Sequence, residues 1–245
     1  MMTKKILTDN ILEPLNGATT ARVDIIMGDG NLEIDPLTGG EQVLASGTLE
    51  YLEKQGLPMR SLQISNELAT LKLKTGLTGR PWLHFPWSAC NGATDWRIHL
   101  NPVIPVDITA HSGGGNVKLN LAGMAITHLS AETGGGNLDI VLPVDATDLN
   151  VSASTGGGNV HVEVGGSMAG SSIHATTGAG NVVVHIPSGL AACIHATTGW
   201  GKTIVDPQFS QVDKYMYQSS EFDRAANKVE SNVKSGAGDV CINAR

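Results

Sequence analysis

The stretch AETGGGNLDIVLPVDATDLNVSASTGGGNVHVEV, residues 131–164, contains the same five letters twice, 22 residues apart. Taking the first glycine of every related copy, the positions are 113, 134, 156, 178, 199 and 236, so the steps are 21, 22, 22, 21 and 37 residues. A motif that returns at such a step is typical of a repeat protein. The copies are SGGGN at Ser112–Asn116, TGGGN at Thr133–Asn137, TGGGN at Thr155–Asn159, TGAGN at Thr177–Asn181, TGWGK at Thr198–Lys202 and SGAGD at Ser235–Asp239.

Segments with alternating apolar and polar residues flank each copy, and this alternation indicates strands with one buried face. A unit of two or three short strands cannot bury that face alone, whereas stacked units form one continuous core. The sequence therefore predicts an all-β protein, chiefly a parallel β-helix or solenoid with 21–22 residues per coil. We expect a right-handed coil, since parallel crossovers are nearly always right-handed.

The repeated motif is interpreted as a tight corner between two strands. Such a corner favours positive φ, which glycine adopts without strain. The Asn or Asp that ends most copies, at positions 116, 137, 159, 181 and 239, is expected to stack on its neighbours and hydrogen-bond along the coil axis. The predicted corner glycines are Gly113, Gly115, Gly134, Gly136, Gly156, Gly158, Gly178, Gly180, Gly199, Gly201, Gly236 and Gly238.

Three regions are predicted along the chain. Residues 1–19 are expected to be a tail, and residues 20–95 a small β-domain or cap followed by a Trp- and Pro-rich bridge. The solenoid then spans residues 96–245, with an insertion at about 206–228. We expect the insertion to be a loop or short helix folded on the solenoid, with a partner-binding flap as the alternative. The bridge tryptophans are expected to seal the domain junction, with a carbohydrate-stacking platform as the alternative.

Charge and composition argue against several functional classes. The formal net charge of −7 and the pI of about 5.5 disfavour nucleic acid, whose phosphates need clustered Lys and Arg. We find no signal-like segment and no apolar stretch of about 18 residues, which predicts no membrane insertion. The expected location is therefore cytoplasmic, or the cell envelope if the start is truncated. The separated cysteines, Cys90, Cys193 and Cys241, predict buried free thiols.

One stretch, ATTGWGKT at Ala196–Thr203, matches a relaxed phosphate-loop pattern. A working phosphate loop opens directly into a helix. Here Ile204 and Val205 favour a strand, and Pro207 stops a helix. The stretch is therefore interpreted as a further solenoid corner. Its unusual Trp200 is predicted to pack against the insertion that follows.

Outward-facing polar residues are the remaining candidates for chemistry. His174 and His195 are 21 residues apart, so they are expected on adjacent coils, about 4.8 Å apart. We interpret them as part of a polar ladder, with a metal site as the alternative. Asp139 and Glu163 could share one sheet face, as a carbohydrate-active enzyme would require, but the one nearby cation is Lys118.

The order of these features resembles a known family. RVDIIMGDGNLEI at Arg22–Ile34, then IPVDITAHSGGGNVKLNL, and finally SGAGDVCI at Ser235–Ile242 are similar to bacterial toast-rack proteins and to the related "putative adhesin" and LiaF-like cell-wall-stress domains. The resemblance covers roughly residues 20–245. It implies a β-solenoid of poorly defined function, adhesin-like or sensory, and no catalytic residues to carry over.

The sequence thus predicts a non-enzymatic binding or scaffold module, adhesin-like or similar to an envelope-stress sensor. We expect no catalytic residues, no cofactor and no metal ligands. The expected partner is an unknown protein, a glycan or another copy of the chain, and not a nucleic acid. The alternative is a carbohydrate-active enzyme on a β-helix scaffold.

Overall fold

The computed structural model of the protein describes residues 5–40, 42–76 and 94–245. These residues form a ten-stranded sheet, here sheet A, an eleven-stranded sheet, here sheet B, and a separate pair of strands. A 3-10 helix covers Glu53–Gln55. The strands are β1 Ile6–Pro14, β2 Thr20–Met27, β3 Gly30–Pro36, β4 Val43–Leu52, β5 Met59–Ser65, β6 Leu68–Lys74, β7 Thr94–Leu100, β8 Val106–Ser112, β9 Val117–Asn120, β10 Ile126–Thr133, β11 Leu138–Val141, β12 Asp145–Thr147, β13 Asn150–Thr155, β14 Val160–Glu163, β15 Ser167–Ala169, β16 Ser171–Thr177, β17 Val182–Ile186, β18 Ala191–Trp200, β19 Thr203–Val205, β20 Ser210–Asp213, β21 Met216–Gln218, β22 Lys228–Ala237 and β23 Val240–Ala244.

Apart from the pair β6 and β7, each coil consists of one strand of sheet B, a glycine corner and one strand of sheet A. Consecutive copies pair in parallel and in register, so that Ala131 lies beside Ala153 in sheet B and Ile140 beside Val162 in sheet A. Because the register preserves the alternation, every coil turns the same set of alternate residues, which are mostly apolar, toward the space between the sheets, where they are buried. The predicted parallel β-solenoid is confirmed.

Eight coils are stacked along the described part of the chain, but their spatial order differs from their order in sequence. The last segment, β22 and β23, does not lie at the end of the stack. β22 pairs with β16 on one side and β18 on the other, and β23 lies likewise between β17 and β19. The coils follow one another as β6/β7, β2/β3, β8/β9, β10/β11, β13/β14, β16/β17, β22/β23 and β18/β19.

A similar reordering occurs at the N-terminal end. The β2/β3 coil lies between the later coils β6/β7 and β8/β9, so both sheets continue without interruption from residue 20 into the repeats. Residues 6–14, expected within a tail, instead form β1, which pairs antiparallel with β4. The proposed division at residues 95 and 96 stays a prediction.

Antiparallel strands cover both sheets at the N-terminal end of the stack and sheet B at the other end. At the N-terminal end, β4 pairs with β7 and β5 pairs with β6. At the other end the insertion forms strands β20 and β21, and β21 pairs with the outer edge of β18. The side chain of Phe209 joins the core from this segment. The insertion is therefore a β-hairpin cap and not the expected loop or short helix, because the open edge of β18 offers backbone partners.

The tryptophans of the predicted bridge have separate outcomes. Trp96 lies in β7, is 1% exposed, and donates its indole N–H to the Glu50 carbonyl over 2.9 Å. A buried indole whose polar group is satisfied seals the core and offers no platform to a ligand. Trp82 and Trp87 lie outside the described residues.

The corner glycines are required for a reason other than the expected positive φ. None of the twelve is among the described glycines with positive φ. Instead, a Cβ on any of the twelve would lie 1.8–3.1 Å from a backbone carbonyl oxygen of the neighbouring coil. The coils approach so closely at the corner that a side chain cannot fit. By contrast, a Cβ on the middle residue of a corner, such as Gly157, would have no atom within 4 Å.

Two ladders of hydrogen bonds join successive corners. Inside the coil, the hydroxyl of Thr155 donates to the Gly136 carbonyl of the neighbouring corner over 2.8 Å, and other corners repeat this contact. Outside, the Asn137 carboxamide oxygen accepts the Asn159 N–H over 2.8 Å. This ladder continues to Asp239, which accepts the N–H of Lys202. The predicted Asn and Asp ladder is confirmed, and the first, second, fourth and fifth letters of the motif each have a structural role.

We predict that Gly158→Ala lowers the free energy of unfolding by about 3 kcal/mol, because its Cβ would meet the Gly136 carbonyl at 2.0 Å. Gly157→Ala, one residue away, is the matched control and should change stability by less than about 1 kcal/mol. Denaturant unfolding followed by circular dichroism measures both. Equal losses in the two variants would contradict the close-approach explanation.

We also predict that Thr155→Val lowers stability by about 2 kcal/mol, since it leaves a buried carbonyl without its donor while keeping the side-chain shape. Thr155→Ser keeps the hydroxyl and should lose no more than about 1 kcal/mol. Serine already occupies the equivalent positions 112 and 235. Thermal and denaturant unfolding test the pair, and a valine variant as stable as the serine variant would show that the hydroxyl ladder contributes little.

Candidate binding faces

The outward face of sheet A carries a row of alternating charges. Neighbouring strands place Arg97, Glu33, Lys118, Asp139 and His161 side by side in register. The Lys118 ammonium lies 3.1 Å from Glu33, which Arg97 approaches to 3.6 Å from the other side. The His161 imidazole lies 3.4 Å from Asp139. Because each charge faces an opposite or titratable partner, this row satisfies itself and has little need of an external ion.

The two carboxylates considered for an enzyme, Asp139 and Glu163, do lie on neighbouring strands of sheet A. His161 stands between them, with Nε2 4.0 Å from Glu163. The guanidinium of Arg245 is 2.9 Å from the Glu163 carboxylate. Sequence reasoning missed Arg245 because the reordered β23 brings the end of the chain beside β17. The Glu163 carboxylate is therefore held in an ion pair on an open sheet face.

His185 completes this group and lies in an unusual environment. Its ring meets the His161 ring edge-on, with 5.0 Å between centroids, and its Nδ1 is buried without a hydrogen-bond partner. Burial, followed by the nearby charge of Arg245 and by His161, lowers the pKa of His185 below its ordinary value of 6.5. In sheet A, His185 pairs with Glu163 on one side and with Asn243 on the other. Its lowered pKa favours the neutral imidazole at this position.

The outward face of sheet B forms a shallow groove of about 810 Å³. It crosses five neighbouring strands, β10, β13, β16, β22 and β18, and is therefore roughly 19 Å long along the coil axis. Its side chains carry hydroxyl, amide and imidazole groups, together with the carboxylate of Glu132 and the ammonium group of Lys234. The outward side chains that line it are Glu132, Ser154, His174, Thr176, His195, Thr197, Asn232 and Lys234.

The expected neighbours His174 and His195 are both in this groove but are not on adjacent coils. Asn232 of β22 pairs with His174 on one side and His195 on the other. The prediction that these histidines are adjacent was wrong. The coil β22/β23, which follows the 37-residue step in sequence, inserts between the coils that carry His174 and His195. Across residues 5–40, 42–76 and 94–245, no group of three or more His, Cys, Asp or Glu side chains is arranged to hold a metal ion.

Two aromatic residues, Trp200 and Tyr215, belong to the segments at the β18 end of the groove. Trp200 is 85% exposed, so the prediction that it packs against the insertion is wrong. It occupies the roomy middle position of its corner, beside Ala237, and points away from the stack. Tyr215, 44% exposed, comes from the insertion and packs edge-on against His195 at 6.2 Å. Sequence reasoning singled out Trp200 but did not find Tyr215.

The stretch that matched a phosphate loop is a solenoid corner. Thr203–Val205 form strand β19, not a helix, as the sequence predicted. The Lys202 N–H continues the outer ladder by donating to Asp239 over 2.8 Å. The Lys202 N–H therefore bonds to the neighbouring corner and is not free to bind a phosphate.

Both cysteines of the described residues are free thiols with a raised pKa. Cys193 and Cys241 are half-buried free thiols on different sheets. Burial, with the nearby carboxylates Glu230 and Asp223 adding to it, raises the pKa of Cys193, and burial with Asp239 does the same for Cys241. A raised pKa lowers the reactive thiolate fraction. Cys90 lies outside the described residues.

The fold, the corner motif and its ladders define a β-solenoid of the toast-rack type. The family model described as the N-terminal domain of toast_rack, DUF2154, matches residues 2–163. Since this match covers more than half of the 245 residues, the chain belongs to the toast-rack family. No curated protein matches the chain.

Solved structures share the architecture. A "putative cell adhesion protein" from Clostridium sporogenes ATCC 15579 is 20% identical with a TM-score of 0.63, over 98% of this chain and 100% of its own. A "putative adhesin" from Bacteroides fragilis NCTC 9343 is 11% identical with a TM-score of 0.41, over 98% of each chain. The first of these likenesses supports the fold. No helix among the described residues is both long and apolar enough to cross a membrane.

We predict that His185→Asn reduces the loss of stability on acidification. Because the folded state lowers the pKa of His185, the unfolded state binds a proton more readily below pH 6.5. The contribution of neutral His185 to folding stability is therefore complete above pH 6.5 and is lost as the pH falls below that value. Unfolding free energies at about pH 7.5 and about pH 5 should differ more in the wild type than in the variant. His128→Asn, at an exposed position on sheet B, is the control; equal pH dependence in wild type and His185→Asn would refute the prediction.

Proposed function

We propose that the protein is a non-enzymatic, adhesin-like binding module that holds an extended partner in the groove on sheet B. The groove itself is the observation that carries the proposal. It presents similar polar groups at intervals of about 4.8 Å across five strands, which suits a partner that is itself extended and repetitive. As an adhesin-like module, the protein would act at the cell envelope.

Binding is favoured over catalysis by the placement of the ionisable groups. Glu132 and Lys234 are the charged residues that line the groove, and they lie on strands that are three apart. The pair Asp139 and Glu163, on which an enzyme would depend, lies on the opposite sheet. Glycoside hydrolysis needs two carboxyl groups flanking one bond. The groove instead offers hydrogen-bonding groups without such a pair.

The proposal is tested by blocking the groove without disturbing the core. Ser154→Arg with Thr176→Arg places two long side chains on the groove floor, on the adjacent strands β13 and β16. The matched control is Asn120→Arg with Val141→Arg, on adjacent strands and an outward face of sheet A. The full-length protein and both variants are labelled and applied to an oligosaccharide array and to an array of extended peptides.

We expect the wild type and the sheet A control to bind members of one array, and the groove variant to lose that binding. Circular dichroism and thermal unfolding must show that all three proteins are folded. Failure to bind either array would contradict the proposal, as would binding that survives in the groove variant. Release of shortened oligosaccharides during incubation would favour the enzyme alternative.

A further inference from the structure

We propose that the ligand of the groove is a neutral glycan chain, and that Trp200 is its stacking platform. This inference rests on the binding function proposed above and names the chemical class of the partner. Three observations support it: the exposure of the indole, its position relative to the groove, and the charge balance of the groove residues.

The fold gives no structural reason for a large aromatic at position 200. The equivalent middle position of the other corners is filled by Asp29, Gly114, Gly135, Gly157, Ala179 and Ala237, none of which is aromatic. A Cβ at Gly135 or Gly157 would have no atom within 4 Å, whereas one at Gly114 would lie 2.9 Å from Asp29 Oδ1, so at the central corners a side chain at this position does not pack against the stack. The Trp200 indole, 85% exposed, therefore leaves a large apolar ring in water without stabilising the stack. Such a ring is available to an external partner.

The indole stands where the groove ends. The groove reaches Thr197 on β18, three residues before Trp200, and it is lined by Gly236, which directly precedes the Ala237 partner of Trp200. On the opposite side of the same strand, Tyr215 packs against the groove residue His195, and its carbonyl accepts the Ala196 N–H over 2.9 Å. Two aromatic residues are therefore associated with the β18 end of the groove, Trp200 through the strand it shares with Thr197 and Tyr215 through its contact with His195.

The charge of the groove residues distinguishes between the possible classes of extended partner. The groove is lined by one carboxylate, Glu132, and one ammonium group, Lys234, whose charges cancel. Hydroxyl, amide and imidazole groups occupy the strands between and beyond them. A polyanionic chain would find no basic cluster here, and a polycationic chain no acidic one. The Lys214 ammonium lies over the Tyr215 ring at 4.7 Å and is engaged with it.

A neutral sugar chain matches both kinds of group on this surface. Its hydroxyl groups donate and accept hydrogen bonds, as the Ser154, Thr176 and Asn232 side chains require. The C–H face of a pyranose ring is apolar and can stack on an indole, whose apolar body and polar edge suit a partly wet site. An extended peptide would use its backbone groups best at an open sheet edge, whereas the groove lies on a sheet face.

The test uses the full chain with chitohexaose, cellohexaose and maltohexaose as neutral probes and a heparin-derived hexasaccharide as the anionic comparator. We expect a neutral hexasaccharide to bind in titration calorimetry and to shift the emission of the exposed indole. Trp200→Ala should weaken that binding by at least about tenfold and abolish the shift, whereas Trp200→Phe should restore most of the affinity. Ser154→Arg with Thr176→Arg should remove the binding.

Each other outcome overturns the inference. Tighter binding of the heparin fragment than of every neutral hexasaccharide would refute neutrality. No binding of the neutral probes would refute the glycan, while groove-dependent binding of peptides in the array experiment would leave the proposed function standing. Saccharide binding that is lost in Trp200→Ala but kept in the groove variant would place the site elsewhere and defeat the proposed function. Unchanged affinity in Trp200→Ala would remove the platform.

Discussion

The close approach of carbonyl oxygens to glycine Cα atoms at each corner is the constraint on which the rest of the structure depends. At Gly136 and Gly158 a Cβ would come within 2.0 Å of the carbonyl of the preceding coil, so the coils can reach strand spacing only where the corner has no side chain. That spacing places each Thr hydroxyl within reach of the next carbonyl, and each Asn within reach of the next N–H. The corner therefore sets the register of both sheets, which in turn keeps the inward-facing apolar residues of the coils in the core.

At both ends of the stack, antiparallel strands pair with an edge that the parallel coils would otherwise leave open. A regular solenoid would end in two unpaired strands, which are sites for uncontrolled pairing with other chains. Here the chain moves past one level, forms antiparallel strands that cover an edge, and in the C-terminal case returns to fill the level left open. The last segment thereby becomes an interior coil, buried through Val229, Val233, Val240 and Ile242. Each strand of this segment has a parallel partner on both sides, whereas a strand at the end of the stack would have only one. This double pairing opposes fraying of the C-terminus.

How far the sequence predicts this molecule depends on whether a feature repeats. The period, the inward residues and the outer ladder follow from the motif, because every coil repeats the same physical requirement. The place of β22 does not, since a 37-residue step reads equally as an insertion between neighbours. His174 and His195 were therefore expected side by side, and Arg245 was not expected beside Glu163. The glycines were predicted at the right positions for the wrong reason, because a sequence does not show whether φ or close approach excludes a Cβ.

The same constraint separates the residues that hold the fold from those free to carry function. Within each corner, the first, second and fourth residues are restricted by the hydroxyl ladder and the close approach, and the fifth by the outer ladder. The third residue is the least restricted, since a Cβ at Gly135 or Gly157 would meet nothing within 4 Å, and across the corners this position is Asp, Gly, Ala or Trp. Outward strand positions are similarly free, and sheet A fills its row with charges that pair among themselves. Sheet B instead presents hydroxyl, amide and imidazole groups beside an exposed indole. These outward side chains are not needed for the stacking of the coils. A binding function therefore accounts for their chemistry, which the requirements of the fold do not explain.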